Sequence, residues 1–258
     1  MILLSFDIEE FDMPFEYGKQ ISFSDQISIS REGTVAILDL LEKHRIKATF
    51  FCTVVFAREI PDLIERIISS GHEFASHGYY HSDFKTAHLL ESRIELERLS
   101  GNPVSGYRMA RMMPVDEREI AKAGYSYNSS INPTFLPGRY NNLGVSRTHF
   151  FKEGVLQLPA SVTPLLRFPL FWLSFHNLPL WLYKKLALRT LRKDGYLNIY
   201  FHPWEFTDLT DRHRFGFPAY VRRNTGKLMI ARMDNLIGWL RDREIMFSTI
   251  NGFIKSLS

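Results

Sequence analysis

Two patterns of hydrophobic and polar positions alternate along the chain, short apolar runs typical of buried strands and longer runs with helical spacing. The predicted strands span residues 2–6, 48–54, 73–76, 106–107, 126–129, 197–201 and 245–249. The clearest helical patterns cover residues 33–44, 61–70, 87–99 and 115–123, and Gly71 and Gly124 follow two of them as C-terminal stops. The chain is therefore a series of strand-to-helix units.

Such units favour a parallel sheet, either an open doubly wound sheet or a closed barrel. No glycine-rich phosphate loop follows any predicted strand, which disfavours nucleotide binding. The alternation stops in the Pro-, Asn-, Arg- and aromatic-rich stretch of about 130–195, which includes a helical pattern over 178–192. We interpret that stretch as an inserted cap, and we expect residues 1–258 to form a single domain.

Charge and cysteine usage exclude some classes of protein. The net charge is +4 and the basic residues form no long run, so nucleic-acid binding is not indicated. The one cysteine, Cys52, lies in an apolar run and is expected to be buried and inert.

The N-terminus has the pattern of a strand without a basic leader, which predicts a cytoplasmic protein. The longest uncharged stretch, 168–183, is broken by prolines and is shorter than the ~20 apolar residues that span a bilayer. Aromatic, leucine and basic residues mix over 165–192, which leaves peripheral contact with a membrane open, although burial against the barrel is the favoured interpretation.

Asp7, His77, Arg108 and His202 each come directly after a predicted strand. In a barrel these positions lie at the C-terminal rim, where barrel enzymes carry their catalytic residues. The candidate chemistry therefore converges on one end of the predicted sheet.

The pair His77 and His81 has i, i+4 spacing, which places both imidazoles on one face if the segment begins a helix. The spacing alone does not separate a metal-binding pair from hydrogen-bonded histidines. Asp7, Glu9 and Glu10 cluster at the end of the first strand, where one acid can bind a cation and another act as a base. A solvated acidic turn is the alternative for these acids.

His202 leaves an apolar strand and is followed by a proline and a tryptophan. A general acid suits this place, and a core histidine bonded to a backbone carbonyl, with Trp204 packed beside it, is the alternative.

Five segments resemble, in order and spacing, the polysaccharide deacetylases of the NodB-homology class, carbohydrate esterase family four. They are Ser5-Phe-Asp-Ile-Glu9, Ser76-His-Gly-Tyr-Tyr-His81, Gly106-Tyr-Arg108, Tyr127-Asn-Ser-Ser-Ile131 and Phe201-His-Pro-Trp-Glu205. The later part of the chain is most similar to the branch found in exopolysaccharide biosynthesis loci. The resemblance implies a distorted (β/α) barrel of about seven parallel strands and a hydrolase that removes N-acetyl groups from the amino sugars of a polysaccharide or glycan precursor.

The resemblance also implies a divalent metal, usually zinc, and a metal-activated water. Its expected roles for residues of this chain are Asp7 as base, Arg108 as the partner that orients the base, His202 as acid, and Glu9, His77 and His81 as metal ligands, with Glu10 as the rival of Glu9. Tyr80, Arg111 and Trp204 are expected to contact the carbohydrate.

The chain departs from the family pattern in two places. Met109 and Ala110 follow Arg108 where the family has Arg-x-Pro, and Asn128 stands where it has Asp. These departures motivate a second hypothesis, a glycan-binding or assembly subunit with weakened catalysis. A third hypothesis is a related hydrolase of small amides, because the same chemistry attacks any carbonyl that the pocket admits.

Overall fold

The computed structural model describes residues 1–257. It contains eleven strands: β1 (Ile2–Ile8), β2 (Thr49–Cys52), β3 (Glu73–Ser76), β4 (Gly106–Tyr107), β5 (Tyr127–Asn128), β6 (Phe135–Leu136), β7 (Tyr140–Asn141), β8 (Phe150–Lys152), β9 (Val155–Gln157), β10 (Leu197–Phe201) and β11 (Phe247–Ser248).

The α-helices are α1 (Phe23–His44), α2 (Val54–Glu59), α3 (Pro61–Ser69), α4 (Ala87–Ser100), α5 (Glu117–Lys122), α6 (Trp172–Asn177), α7 (Leu180–Asp194), α8 (Arg212–Phe215), α9 (Ala219–Arg222), α10 (Lys227–Arg241) and α11 (Ile250–Lys255). Three 3₁₀ turns span Met13–Tyr17, Ala110–Met112 and Pro203–Phe206. None of the helices in the described residues combines the length and the apolar composition needed to cross a bilayer.

The main sheet has the strand order β10-β1-β2-β3-β4-β5-β9-β8, and β11 pairs with the beginning of β1. Every neighbouring pair is parallel except β8 and β9. The sheet curls so that the segment after β9 approaches β10, where the Ser161 amide donates to the Asn198 carbonyl at 2.8 Å. This curled, mainly parallel α/β sheet confirms the predicted fold class.

Alternation along β1 separates the two faces of the sheet. Phe6 and Ile8 belong to the large core between the sheet and the helices, whereas Leu3 packs inside the curl with the rings of Phe51 and Tyr127. Successive strand residues point to opposite faces, so Asp7 lies on the inner face with Leu3. A carboxylate is therefore placed inside the curl at the carboxyl end of its central strand.

Helix α1 is longer than its predicted range of 33–44. It begins at Phe23 because the Ser22 hydroxyl accepts a hydrogen bond from the Asp25 amide and caps the first turn. Gly33 lies inside the helix, and a Cβ there would overlap the carbonyl of Pro203. Gly33 therefore does not mark the start of the helix. Its missing side chain allows α1 to pack directly on the turn after β10.

The stretch of 130–195 is integrated with the sheet more closely than a cap. Strand β9 pairs with β5 in parallel and β8 extends the sheet beyond it. Helix α7 covers the predicted helical pattern and packs against β10. The hairpin of β6 and β7 forms a separate two-stranded sheet at the edge of the cleft. Helix α10, which packs on α1, was not among the predicted helices.

Candidate active site

Asp7 and Arg108 form a buried ion pair at the carboxyl ends of β1 and β4. The Arg108 guanidinium donates to Asp7 Oδ1 at 2.6 Å and to the Ser5 hydroxyl at 2.9 Å. It also donates to the carbonyl and the hydroxyl of Ser129, each at 3.0 Å. The Arg108 side chain is fully buried, with its guanidinium carbon 4.1 Å from the centroid of the Phe51 ring. These contacts hold the Asp7 carboxylate in one orientation and leave Oδ2 for the cleft.

Glu9, His77 and His81 meet next to this pair. Glu9 Oε2 lies 3.0 Å from His77 Nε2 and 3.3 Å from His81 Nε2. The three potential ligand atoms lie within 4.8 Å of one another. The structure therefore brings together the three residues that the resemblance assigns to the metal.

His77 and His81 do not lie on a helix, so the helical face that their i, i+4 spacing would create is not what brings their imidazoles together. They occupy a loop after β3 in which Gly78 has a φ of 91°. The loop is held by the His77 amide, which donates to the Cys52 carbonyl, and by the Gly78 carbonyl, which accepts from the Val54 amide. The left-handed glycine and these long-range bonds turn the imidazoles towards each other, 6.0 Å apart between ring centroids.

Each histidine has a second partner on its other ring nitrogen. His77 Nδ1 lies 2.9 Å from the Arg108 carbonyl, and His81 Nδ1 lies 2.7 Å from Asp12 Oδ1. A carbonyl oxygen accepts only, so Nδ1 of His77 carries a proton, and Nε2 is the ring nitrogen turned towards Glu9. This pattern of outer partners is typical of histidines that bind metal through Nε2.

The adjacent glutamates have different partners, which separates their roles. Glu10 accepts from the Thr53 hydroxyl at 2.6 Å and from the His81 backbone amide at 2.9 Å. Glu10 therefore anchors the loop, whereas Glu9 alone of the two faces the imidazoles. The buried Glu9 Oε2 has no hydrogen-bond partner among the described residues.

The donor set fits a divalent cation. A buried, unpartnered carboxylate oxygen between two imidazole nitrogens is costly unless a positive charge compensates it. The 3.0 Å and 3.3 Å separations are close to the edge of about 3.4 Å in a tetrahedron with bonds of about 2.1 Å. One carboxylate and two histidines are also a ligand set that zinc accepts.

Asp12, a residue to which the sequence assigned no role, supports the site. Besides His81, Asp12 contacts the Ser82 hydroxyl and Arg111, whose Nη2 lies 3.2 Å from Oδ2. Burial opposes its ionisation, but the hydrogen bonds of His81 and Ser82 and the charges of His81 and Arg111 lower the pKa of Asp12 to about 2. Its position two residues after the acidic cluster at the end of β1 was the available signal.

His202 follows β10 and faces Asp7 across the cleft, with Nε2 4.0 Å from Asp7 Oδ2. Its Nδ1 lies 2.9 Å from Glu205 Oε1, and the same oxygen accepts the His202 amide at 2.6 Å. Burial opposes protonation of His202, but the Glu205 hydrogen bond and the charges of Glu9, Glu205 and Asp7 raise its pKa above the usual value. Glu205 was part of the quoted motif, but its role became visible only in the structure.

A cleft of about 310 Å³ opens over these groups. Arg111 and Trp204, two of the residues expected to contact the carbohydrate, line this cleft. Trp204 is nearly buried and stacks on the His202 ring at 4.9 Å between centroids, so it supports that ring. Tyr80 is not among the residues that line the cleft and packs instead against Tyr79 and His88.

The departures from the family pattern have structural consequences. Arg111 and Met112 both have positive φ angles, 57° and 52°, and Arg111 pairs with Glu16 at the mouth of the cleft. Asn128 bonds with Gln157 and Ser130 in a buried network and lines a second pocket together with Glu16 and Arg111. The altered residues therefore shape the cleft wall and leave the Asp7–Arg108 pair intact.

Comparisons with known proteins relate this arrangement to a family. Residues 13–102, which contain both loop histidines, match the model of the polysaccharide deacetylase family. The peptidoglycan-N-acetylmuramic acid deacetylase PdaA of Bacillus subtilis is 38% identical over 64 residues, 24% of this chain and 24% of that protein. The matched stretch thus spans about a quarter of the length of that relative.

Solved structures match over nearly the whole chain. A Mycobacterium smegmatis protein classed as a polysaccharide deacetylase superposes with a TM-score of 0.65 at 18% identity, covering 96% of this chain and 86% of that one. PuuE allantoinase superposes with a TM-score of 0.66 at 17% identity, covering 96% and 87%. At these identities the likeness shows a shared fold.

Proposed function

This chain belongs to the polysaccharide deacetylase family of the NodB-homology type, and from that premise we propose that it hydrolyses the N-acetyl groups of amino sugars in a glycan. The observation that carries the proposal is the meeting of three groups at one cleft: the Glu9, His77 and His81 set, the Asp7–Arg108 pair and the His202–Glu205 pair. Ligands, base and acid are the parts that metal-assisted amide hydrolysis needs.

We propose zinc as the cation, held by Glu9, His77 and His81. When bound, it would polarise the acetyl carbonyl and make water a nucleophile at neutral pH. The Arg108 carbonyl and the Asp12 carboxylate hold the two imidazoles in the orientation that presents Nε2. The protein therefore supplies a site whose geometry is fixed before the cation arrives.

Asp7 is the proposed base. Its Oδ1 is occupied by Arg108, so the proton of the attacking water goes to Oδ2, the oxygen that faces His202. The fixed guanidinium keeps that oxygen aimed at the cleft, which removes the reorganisation that a free side chain would need.

His202 is the proposed acid. Nδ1 is bound to Glu205, so Nε2–H is the group free to donate a proton to the amine nitrogen as the carbon–nitrogen bond breaks. A pKa raised above the usual value by the Glu205 hydrogen bond favours the protonated ring before that step. Trp204 and Trp172 pack on the ring from two sides and exclude water from it.

Three finer expectations stay proposals. The exopolysaccharide-locus branch and the cytoplasmic location rest on sequence patterns alone. Peripheral contact with a membrane rests on the exposed side chains of Leu165, Leu166 and Trp181 and on the basic residues of α7.

The shared fold with an allantoinase keeps a small-amide substrate as the second candidate function. The test is a substrate panel for the zinc-loaded protein, with N-acetylated chitooligosaccharides, peptidoglycan fragments, and small linear and cyclic amides. Acetate release from the sugars supports the proposal, and ammonia or amine release from small amides alone supports the second candidate. Bound metal without turnover on the whole panel would instead indicate a glycan-binding subunit.

The neighbouring glutamates provide a matched pair of variants for the metal assignment. Glu9→Gln is expected to lose stoichiometric zinc, whereas Glu10→Gln is expected to retain it, because only Glu9 faces the imidazoles. Zinc content after dialysis measures both. Retention of zinc by Glu9→Gln together with its loss from Glu10→Gln would assign the ligand to Glu10.

A further inference from the structure

We propose that His176 is a positioning residue for the proton donor, acting on His202 through Glu205. The inference rests on the proposed function, since it assigns His202 as the acid. His176 lies on α6, in the stretch of 130–195 for which no catalytic residue was predicted, and it is outside the five segments that resemble the family.

The three residues form a buried chain of hydrogen bonds. Glu205 Oε1 is bonded to His202 Nδ1 at 2.9 Å, and Oε2 is bonded to His176 Nε2 at 2.7 Å. The side chains of His176 and Glu205 have no exposed surface. A carboxylate with both oxygens bound to rigid rings cannot rotate, so the oxygen that faces His202 stays in place.

Two residues on one face of helix α6 contact this hydrogen-bond network. Trp172 and His176 are four residues apart, and the Trp172 ring contacts both histidine rings edge-on, each at 5.7 Å between centroids. The Asn224 side chain donates to the His176 carbonyl at 2.6 Å and fixes the end of the short helix. The position of His176 is therefore set by packing on two sides.

The hydrogen-bond partners assign the tautomer of His176. Its Nε2 faces a carboxylate oxygen, so Nε2 carries the proton. Its Nδ1 is buried and has no partner among the described residues. His176 therefore donates to Glu205 through Nε2.

The groups around this hydrogen-bond network favour an ionised Glu205 and a protonated His202. Burial opposes ionisation of Glu205, but the hydrogen bonds of His176 and His202 lower its pKa below the usual value. The charges of Glu9 and Asp7, on and beside β1, also act on His202, and the charge of Glu205 acts on Tyr183 of α7, whose hydroxyl donates to the Leu170 carbonyl at 3.3 Å. Removal of the His176 donor would leave one Glu205 oxygen unpaired and free to turn away from His202.

The test compares zinc-loaded wild type with His176→Leu, which removes the donor, and His176→Gln, whose amide nitrogen replaces Nε2. His72→Leu is the control, because His72 is buried beside Phe50 and contacts none of the three hydrogen-bonded residues His176, Glu205 and His202. Two quantities are measured: the pH profile of kcat for acetate release, and the pKa of the His202 ring by NMR, with the resonance assigned through His202→Gln.

His176→Leu is expected to lower the pKa of His202 by about one unit and kcat at pH 8 by about tenfold, with KM changed less than about twofold. The loss of activity on the alkaline side moves to lower pH, because His202 with a lowered pKa loses its proton at a lower pH. His176→Gln is expected to restore most of both quantities, and His72→Leu to leave both unchanged.

An unchanged pKa of His202 and an unchanged alkaline limb in folded His176→Leu would overturn the proposal. If that variant does not fold, His176→Asn, whose amide is too short to reach Glu205, carries the same test. If wild type releases no acetate from any substrate, the proposed function fails, and the NMR titration still decides whether His176 acts on His202.

Discussion

Replacement of Arg108 by methionine tests whether the inner face of the curl depends on one buried ion pair. Arg108→Met keeps an unbranched apolar stem but removes the guanidinium and its four hydrogen bonds, to Asp7, Ser5 and both polar groups of Ser129. The Asp7 carboxylate, only 3% exposed, would then have no counter-ion. The perturbation therefore acts on β1, β4 and the segment after β5 together.

The expected cost is about 3–5 kcal/mol of unfolding free energy, the usual loss when one partner of a buried pair is removed. Asp7→Asn alone is expected to cost less, because Arg108 keeps its bonds to Ser5 and Ser129. Removing both charges relieves the unpaired carboxylate, so Asp7→Asn combined with Arg108→Met should be more stable than the sum of the single losses predicts, by about 2 kcal/mol.

Urea unfolding of all four proteins in EDTA measures this cycle without a contribution from bound metal. Equal slopes against urea concentration are needed for the comparison, because a changed slope signals a changed denatured or native state. A cost of less than about 1 kcal/mol for Arg108→Met, or strict additivity in the double variant, would refute the reasoning.

Three further predictions concern packing, metal and pH. Gly33→Ala should destabilise the protein by more than about 2 kcal/mol, because a Cβ there overlaps the turn after β10, whereas Gly238→Ala on α10, with 3.8 Å to its nearest neighbour, should be neutral or slightly stabilising by thermal unfolding. Asp12→Asn should weaken zinc affinity by about 10- to 100-fold in a chelator competition, and the exposed Asp62→Asn should leave it unchanged. Burial, followed by nearby positive charges, lowers the pKa of His72 to about 4, so the folded state binds fewer protons than the unfolded state between pH 4 and 6.5. The contribution of His72 to the free energy of unfolding is therefore full above pH 6.5 and should fall by up to about 3 kcal/mol towards pH 4. His72→Leu should flatten that dependence, measured by urea unfolding at pH 5 and 7.5.

The sequence by itself determined the strand series and the end of the sheet at which the chemistry lies. Short apolar runs predicted seven strands of the main sheet, and polar residues directly after them predicted that Asp7, His77, Arg108 and His202 converge. This information is local, because a buried strand needs its apolar pattern wherever it lies in the sheet. The motif resemblance added the polysaccharide deacetylase family, whose model matches residues 13–102.

The tertiary structure alone decided the parts of the site that depend on loops and on distant partners. Glu9 and Glu10 are adjacent and identical in type, and only the bonds from Thr53 and the His81 amide turn Glu10 away from the imidazoles. The loop histidines converge because Gly78 takes a left-handed conformation that their spacing did not reveal.

Dependence on distant partners also explains why the sequence did not predict the short strands β8 and β9 or the hydrogen bond between Glu205 and His176. These elements carry no strong period of their own, and the residues that they meet lie far away in the chain. Local patterns predict which segments are strands, whereas a side chain's partner is set by packing among segments distant in sequence, and only the folded chain brings those segments together.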